Sequence, residues 1–432
     1  MFWFVYNLLF HLVYLLMLPH FLWRMWKRGG YRKGFLQRAF VLSRAERARV
    51  SEGRRIWVHA VSVGELSVGL AFMREWRKRH PEAAFLVTVN TSTAHRIAEE
   101  KLDARDVLLY PPLDSPPVIR RLLKSVDLEA LVLVETEMWP NLLRLLRGRN
   151  VPVMLLNGRV SDRSHRRLKQ VPSYTRRLYP LVDLYCMQGE RDARRAVDLG
   201  APRERVRVMH SAKYDVADRN AEEERSRWEA LRSRGFLERD SVILLGSSTW
   251  PGEEQALMRM YHPMRKEYPR LRLVLVPRHF ERTPEVLAEA EDLGLRCARW
   301  SEWERFRGKA PDVVVVDTTG ELMHFTGLAR VVFVGKSLFR LEGQNPIEAA
   351  HAGCFLVTGR GMDNFREVME DLRSVKGVKE VKDAVDLELT LRDALDAPQE
   401  AADQGRRARE LVRSRRGSLR RSADELEKML SS

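Results

Sequence analysis

From residue 56 onward the chain alternates two kinds of segment. Short apolar runs, rich in β-branched residues, recur at Ile56–Val61, Phe85–Val89, Val107–Tyr110, Leu131–Glu135, Val153–Asn157, Leu184–Met187 and Val206–Met209. Between them lie amphipathic stretches with helical spacing, such as Leu66–Arg79, Ala94–Leu102 and Glu190–Leu199. The alternation restarts at Val242–Gly246 and continues through Leu271–Pro277, Val313–Asp317, Val331–Gly335 and Phe355–Thr358. Helices are predicted after these strands over Glu253–His262, Pro284–Leu293, Glu321–Ala329 and Pro346–Ala352. Strands followed in turn by helices predict a parallel sheet covered on both faces. Two such runs predict two Rossmann-like α/β domains, at 36–216 and 241–398. The charged stretch 217–240 reads as a connector, and 399–432 as a basic amphipathic helix. Ligands of open α/β sheets bind beyond the carboxyl ends of the strands. For two such domains facing each other, the natural site is the cleft between them.

The pattern before residue 36 is different. Met1 to Trp23 contains no Asp, Glu, Lys or Arg, and Arg24, Lys27, Arg28, Arg32 and Lys33 follow at once. At about 1.5 Å per residue, a helix of that length spans roughly 35 Å, enough to cross a bilayer core. Residues 1–35 therefore read as a membrane anchor, and the positive-inside rule places the rest on the cytoplasmic side. The charges follow the apolar run instead of preceding it, which argues against a cleaved signal peptide. Pro19, His11 and His20 interrupt the run, so a helix lying in the interface stays open beside a spanning one.

Composition narrows the chemistry. The chain has 432 residues, and Lys+Arg exceed Asp+Glu by 75 to 59, a net charge of +16. Such a balance favours anionic partners: nucleic acid, phosphorylated molecules or an acidic membrane. Three scattered cysteines (Cys186, Cys297, Cys354) exclude a disulfide scaffold and a Cys-based zinc cluster.

The residues after each strand are the candidates for function. Ser62-Val63-Gly64-Glu65 places Glu65 near a helix start. It reads either as a carboxylate favoured by the helix dipole or as a general base. Glu135-Thr136-Glu137-Met138-Trp139-Pro140 sets two carboxylates at a strand end, where ion pairing is the alternative reading. Lys213, at the domain junction, is either a solvated lysine or a counter-charge for a developing anion. In the second half, Gly246-Ser247-Ser248-Thr249, Pro277-Arg278-His279, Thr318-Thr319-Gly320-Glu321 and Gly343 to Glu348 offer hydroxyls, a fixed cation and helix starts. Together these suit a nucleotide phosphate. There is no P-loop, no dinucleotide fingerprint, no H-E-x-x-H, no G-x-S-x-G and no Asp-x-Asp pair. No metal site or cofactor is expected.

An ordered set of motifs resembles one family. They are His59-Ala60-Val61-Ser62-Val63-Gly64-Glu65, Glu135 to Asn141, Asn157-Gly158-Arg159, Lys213-Tyr214-Asp215, Gly246 to Thr249, Pro277-Arg278-His279, Thr319-Gly320-Glu321-Leu322 and Asn345-Pro346-Ile347-Glu348. The chain looks like a Kdo (3-deoxy-D-manno-octulosonic acid) transferase of lipopolysaccharide assembly, from the anchor to about residue 375. The resemblance implies a GT-B glycosyltransferase on the cytoplasmic face of the inner membrane, moving Kdo from CMP-Kdo to a lipid A precursor. It implies Glu65 as general base, with Glu135 and Lys213 stabilising the transition state. It implies CMP binding by Pro277, Arg278, Thr319, Gly320, Glu321, Asn345, Pro346, Ile347 and Glu348. Where the family pattern has Gly-Gly-His-Asn-Pro, this chain reads Glu342-Gly343-Gln344-Asn345-Pro346.

Two other functions compete. One is a GT-B enzyme of the same membrane with a different activated sugar. The other is a membrane-anchored basic protein binding RNA or acidic lipid, which would show a basic stripe with interleaved aromatics. The basic tail, Arg406 to Arg421, has no aromatics, so no nucleic-acid partner is expected.

Overall fold

The computed structural model describes residues 2–28, 32–216, 241–305, 311–318 and 320–431. The connector expected at 217–240 lies outside them. Contacts divide the chain into two units, Met1–Val216 with Gly417–Ser432, and Ala217–Arg416.

The sheet of the first unit contains β1 (Arg54–Ala60), β2 (Phe85–Val89), β3 (Val107–Leu109), β4 (Asp127–Val134), β5 (Val153–Gly158), β6 (Leu184–Met187) and β7 (Val206–Val208). The order is β3-β2-β1-β4-β5-β6-β7, and every neighbouring pair is parallel. Alternate residues of a strand point to opposite faces. Trp57, Leu131 and Leu133 accordingly enter one core with Leu142, Leu146 and Tyr185. Ile56, Val58 and Val132 enter the other with Phe72, Trp76 and Leu156. Burial on both faces explains why these strands read as near-continuous apolar runs. Strand order reverses between β1 and β4, and that switch point is where ligands of such sheets bind.

The second unit has β8 (Val242–Thr249), β9 (Leu271–Pro277), β10 (Cys297–Arg299), β11 (Val313–Val315), β12 (Val331–Val334), β13 (Phe355–Gly359) and β14 (Lys379–Val381). The order is β10-β11-β9-β8-β12-β13-β14, again all parallel. Its switch point lies between β8 and β12. Two strands here have no counterpart in the sequence reading. β10 and β14 are three-residue edge strands carrying Arg299, Lys379 and Glu380, too short and polar to give an apolar run.

The tail is a correction. The single basic helix expected over 399–432 is two helices, Pro398–Arg415 and Ser418–Ser431. Gly417, at φ +84°, breaks them in a conformation that favours glycine. The Asp215 carboxylate caps the second helix, accepting from Gly417 N at 2.6 Å and Leu419 N at 2.7 Å. That helix buries Leu419, Ala423 and Leu426 in the first unit's core.

The N-terminal helix spans Phe2–Arg28, with Pro19 inside it. Its Phe2–His20 stretch is long and apolar enough to cross a membrane. One face is fastened to the first unit: Tyr6 Oη donates to Asp114 Oδ2 (3.0 Å), Asn141 Nδ2 donates to Asn7 Oδ1 (2.7 Å), and His11 Nε2 meets Ser115 Oγ (3.1 Å). Arg144 stacks over Trp3 and Arg177 over Phe2. The opposite face leaves Leu8, Leu9, Leu12, Leu15 and Leu16 exposed.

Candidate active site

In the first unit, β1 ends at Ala60 and a helix runs over Val63–Arg77, with Ser62 as its N-cap. Glu65 sits in the first turn. Its N–H donates to Ser62 Oγ (3.3 Å), its Oε1 accepts from Ser62 Oγ (3.2 Å) and its Oε2 from Val61 N (2.7 Å). Burial pushes its carboxyl up to about 7. The negative charges of Glu135 and Glu137 add to the rise, and the bonds from Val61 and Ser62 oppose it. A carboxylate of that basicity is half-ionised near neutrality and suits proton abstraction.

Glu135 follows β4 across the switch point, at φ +66°. Its Oε1 accepts from Asn157 Nδ2 at 3.4 Å. Asn157, at φ +55°, also accepts Ala212 N on Oδ1 at 2.9 Å. One asparagine thereby links Glu135 to the segment bearing Lys213, which opens the short helix Lys213–Val216. Non-glycine residues at positive φ are uncommon and gather at functional sites. Glu137 accepts from Trp139 Nε1 at 2.9 Å, and the Trp139 ring packs edge-on against buried His59, 4.9 Å between centroids. Glu137 thus braces Trp139. Burial lowers His59 to about 4, so its ring is neutral.

In the second unit, the carboxyl ends of β8 and β12 approach so closely that a Cβ on Gly335 would lie 2.5 Å from Ser248 O. Glu253, almost wholly buried in the first turn of the helix Glu253–Glu267, ties these ends together. Its Oε2 accepts from Trp250 N (2.9 Å) and Lys336 N (2.7 Å), and its Oε1 from Ser337 N and Leu338 N (3.0 Å each). The anion held by this cradle of amides is therefore the protein's own carboxylate. Arg282 pairs with buried Glu254 at 2.8 Å. Arg278 N donates to Thr249 O, setting the end of β9 beside that of β8. The loop after β12 folds back on itself, with Gly343 N on Lys336 O and Gln344 N on Gly335 O. It then enters the helix Ile347–Ala352 through Asn345, whose Oδ1 accepts Ile347 N.

Known proteins add a family to this geometry. A sequence profile described as 3-deoxy-D-manno-octulosonic-acid transferase (kdotransferase) matches residues 31–216. A 3-deoxy-D-manno-octulosonic acid transferase of Bordetella pertussis is 32% identical over 429 residues, 95% of this chain and 96% of its own. The chain belongs to the Kdo transferase family. The Haemophilus influenzae transferase is 30% identical, over 87% of each chain. Among solved structures, UDP-GlcNAc 2-epimerase from Neisseria meningitidis matches with a TM-score of 0.59 at 13% identity, over 84% of this chain and 99% of that one. This likeness speaks for the fold, two parallel α/β units of the GT-B class. As a Kdo transferase the chain is a glycosyltransferase of lipopolysaccharide synthesis.

In this Kdo transferase, Glu65, Glu135 and Glu137 come together at the first switch point, and Lys213 is tied to Glu135 through Asn157. Pro277 and Arg278 lie at the end of β9. Gly320 and Glu321 follow β11, with Glu321 Oε2 on His324 Nδ1 at 2.7 Å. Asn345, Pro346, Ile347 and Glu348 open the helix after β12. Thr319 lies outside the described residues. The sequence reading gave no role to Asn157, Glu253 or Lys336. The signal for Asn157 was its place in the Asn157-Gly158-Arg159 motif at the end of β5, with no role attached. Little in the sequence marked Glu253, because three of its four donors come from residues more than 80 positions away.

Proposed function

We propose that the enzyme moves Kdo from CMP-Kdo to the lipid A precursor, with inversion, and releases CMP. The carrying observation is Glu65: a half-buried carboxylate, raised to about 7, at the carboxyl end of the central sheet. An acceptor sugar hydroxyl placed against Glu65 loses its proton to the carboxylate as its oxygen attacks the Kdo anomeric carbon. The bond from that carbon to the phosphate oxygen breaks, and the electron pair leaves with CMP. One base and a single displacement give inversion. Glu135 and Lys213 stabilise the transition state, with Asn157 holding the two segments in register. The second unit takes the donor through Pro277, Arg278, Thr319, Gly320, Glu321 and Asn345 to Glu348. Arg278 supplies a fixed cation for a phosphate that gains charge on leaving.

The acceptor is a membrane lipid, and the Phe2–Arg28 helix serves it. Polar residues fasten one face to the first unit while leucines cover the other. This arrangement supports a helix lying along the cytoplasmic surface of the inner membrane, because spanning would draw Asp114, Arg144 and Arg177 toward hydrocarbon. The test is transfer by the full chain in detergent, with tetra-acylated lipid A precursor and CMP-Kdo generated in situ. A product heavier by one or more Kdo units, absent with Glu65→Ala, is expected. A folded, CMP-binding protein that gives no product would overturn the acceptor.

A further inference from the structure

The sequence places Glu342, a negative charge, in the loop that leads to the donor-side residues Asn345 to Glu348. An anionic donor would be repelled there unless something answers the charge. The structure supplies an answer from the start of the same loop. Lys336 Nζ lies 3.8 Å from Glu342 Oε1 and 4.3 Å above the centre of the Trp250 ring. The lysine side chain is mostly buried, 19% exposed, whereas that of Glu342 is 49% exposed.

Lys336 is an odd choice for its place. Its φ is +57°, a conformation that favours glycine. Its backbone is pinned there by the bond from its N–H to Glu253 and the bond from Gly343 N to its carbonyl. The strain is local, and it sets an ammonium at the second switch point, beside the ends of β8 and β12. Trp250 in turn meets His279 edge-on at 5.4 Å, next to Arg278. The ammonium therefore stands among the segments at the carboxyl edge of the sheet, with an aromatic face below it and a half-solvated carboxylate beside it. A lysine chain is flexible and its ammonium is a point charge, so it can change anions without rearranging the backbone.

We propose that Lys336 binds the phosphate of the nucleotide-linked donor, and that Glu342 is its resting counter-ion, displaced when the phosphate arrives. The inference rests on the reading of the second unit as the donor site. Glu342 holds the ammonium at 3.8 Å and competes with the phosphate for it. Trp250 keeps the ammonium over the site whichever anion it faces.

CMP is the probe, titrated calorimetrically into the full-length protein in detergent. Lys336→Gly removes the ammonium and relieves the positive φ, so the variant keeps or gains thermal stability. Its CMP affinity is expected to fall about tenfold, the scale of one charge-assisted contact. Glu342→Gln removes the competitor and is expected to tighten CMP about two- to threefold at low salt, with the gain lost at high salt. In the double variant Glu342→Gln has no further effect, because its action passes through Lys336. Unchanged CMP affinity in a folded Lys336→Gly would overturn the role of Lys336. Weaker binding by Glu342→Gln would overturn its role as competitor. Wild-type protein that transfers Kdo yet behaves like both variants would remove the pair from donor binding. Wild-type protein that fails to bind CMP would overturn the donor reading itself.

Discussion

Each unit carries a glutamate in the first turn of the helix that follows its first strand, and the two residues sit in opposite surroundings. Glu65, after β1, accepts one backbone N–H and one hydroxyl, and it faces two other carboxylates. Glu253, after β8, accepts four backbone N–H groups from two loops. The number of fixed donors decides what a carboxylate in this position can do. With few donors and like charges nearby, burial leaves it basic and able to take a proton. With four donors, its lone pairs are occupied and it acts as a structural tie. The same place in a similar fold thus holds the proposed general base in one unit and a brace in the other.

The sharpest break of this comparison is Glu65→Gln. Transfer should fall by about 10²–10⁴-fold, the usual contribution of a general base. Stability should move the other way. The native state binds more protons than the unfolded chain between the ordinary value of 4.5 and about 7, so this group's contribution falls as pH rises through that window. Glu65→Gln should therefore raise the unfolding temperature at pH 8 relative to wild type, and much less so at pH 4. A variant that is inactive and also less stable at pH 8 would mean that Glu65 is a brace like Glu253.

Glu253→Ala should show the complementary pattern. Four amides, that of Ser337 buried and the others partly so, lose their acceptor, and each unpaired donor away from water is costly. Denaturant unfolding should register a loss of about 3–5 kcal/mol, the scale of breaking a buried charged network. CMP binding should go with it, because the loop after β12 is no longer held. A well-folded Glu253→Ala that still binds CMP would break the contrast.

The contrast between the two glutamates was not legible in the sequence, although the fold largely was. Runs such as Leu131–Val134 and Leu273–Val276 announce buried parallel strands, because a strand covered on both faces needs apolar residues at nearly every position. β10 and β14 escape because an edge strand of three residues needs no such run. The break at Gly417 escapes because the carboxylate that caps the second helix, Asp215, is some 200 residues away. The same holds for the site. Glu65 and Glu135 stand out as carboxylates beside strand ends, a local signal. Asn157 and Glu253 act through partners set by strand order and loop packing, which no short window of sequence contains.

Asn157→Ala tests the first unit at intermediate strength. It removes the bond to Glu135 and the acceptor for Ala212 N, so the segment carrying Lys213 loses its tie. Misplacing a catalytic group is costly, and kcat should fall at least about tenfold. Asn157→Asp keeps the acceptor for Ala212 N but sets a negative charge against Glu135. It should lower kcat as well and move the acid limb of the pH profile upward. Unchanged kcat in both would show that Lys213 needs no tie to Glu135.

The smallest expected effect isolates the field acting on Glu65. Wild-type kcat should rise with pH through about 7 as Glu65 loses its proton. Glu137 contributes to that position less than burial or Glu135 does. Glu137→Gln removes its charge while a carbonyl oxygen can still accept from Trp139 Nε1, so the brace on the loop survives. The acid limb should therefore move down by about 0.3–0.5 pH unit, with the plateau of kcat retained. A limb that stays in place would mean that solvent screens Glu137 from Glu65. A collapsed plateau would mean that Glu137 touches the substrate, placing a third carboxylate in the chemistry of the first unit.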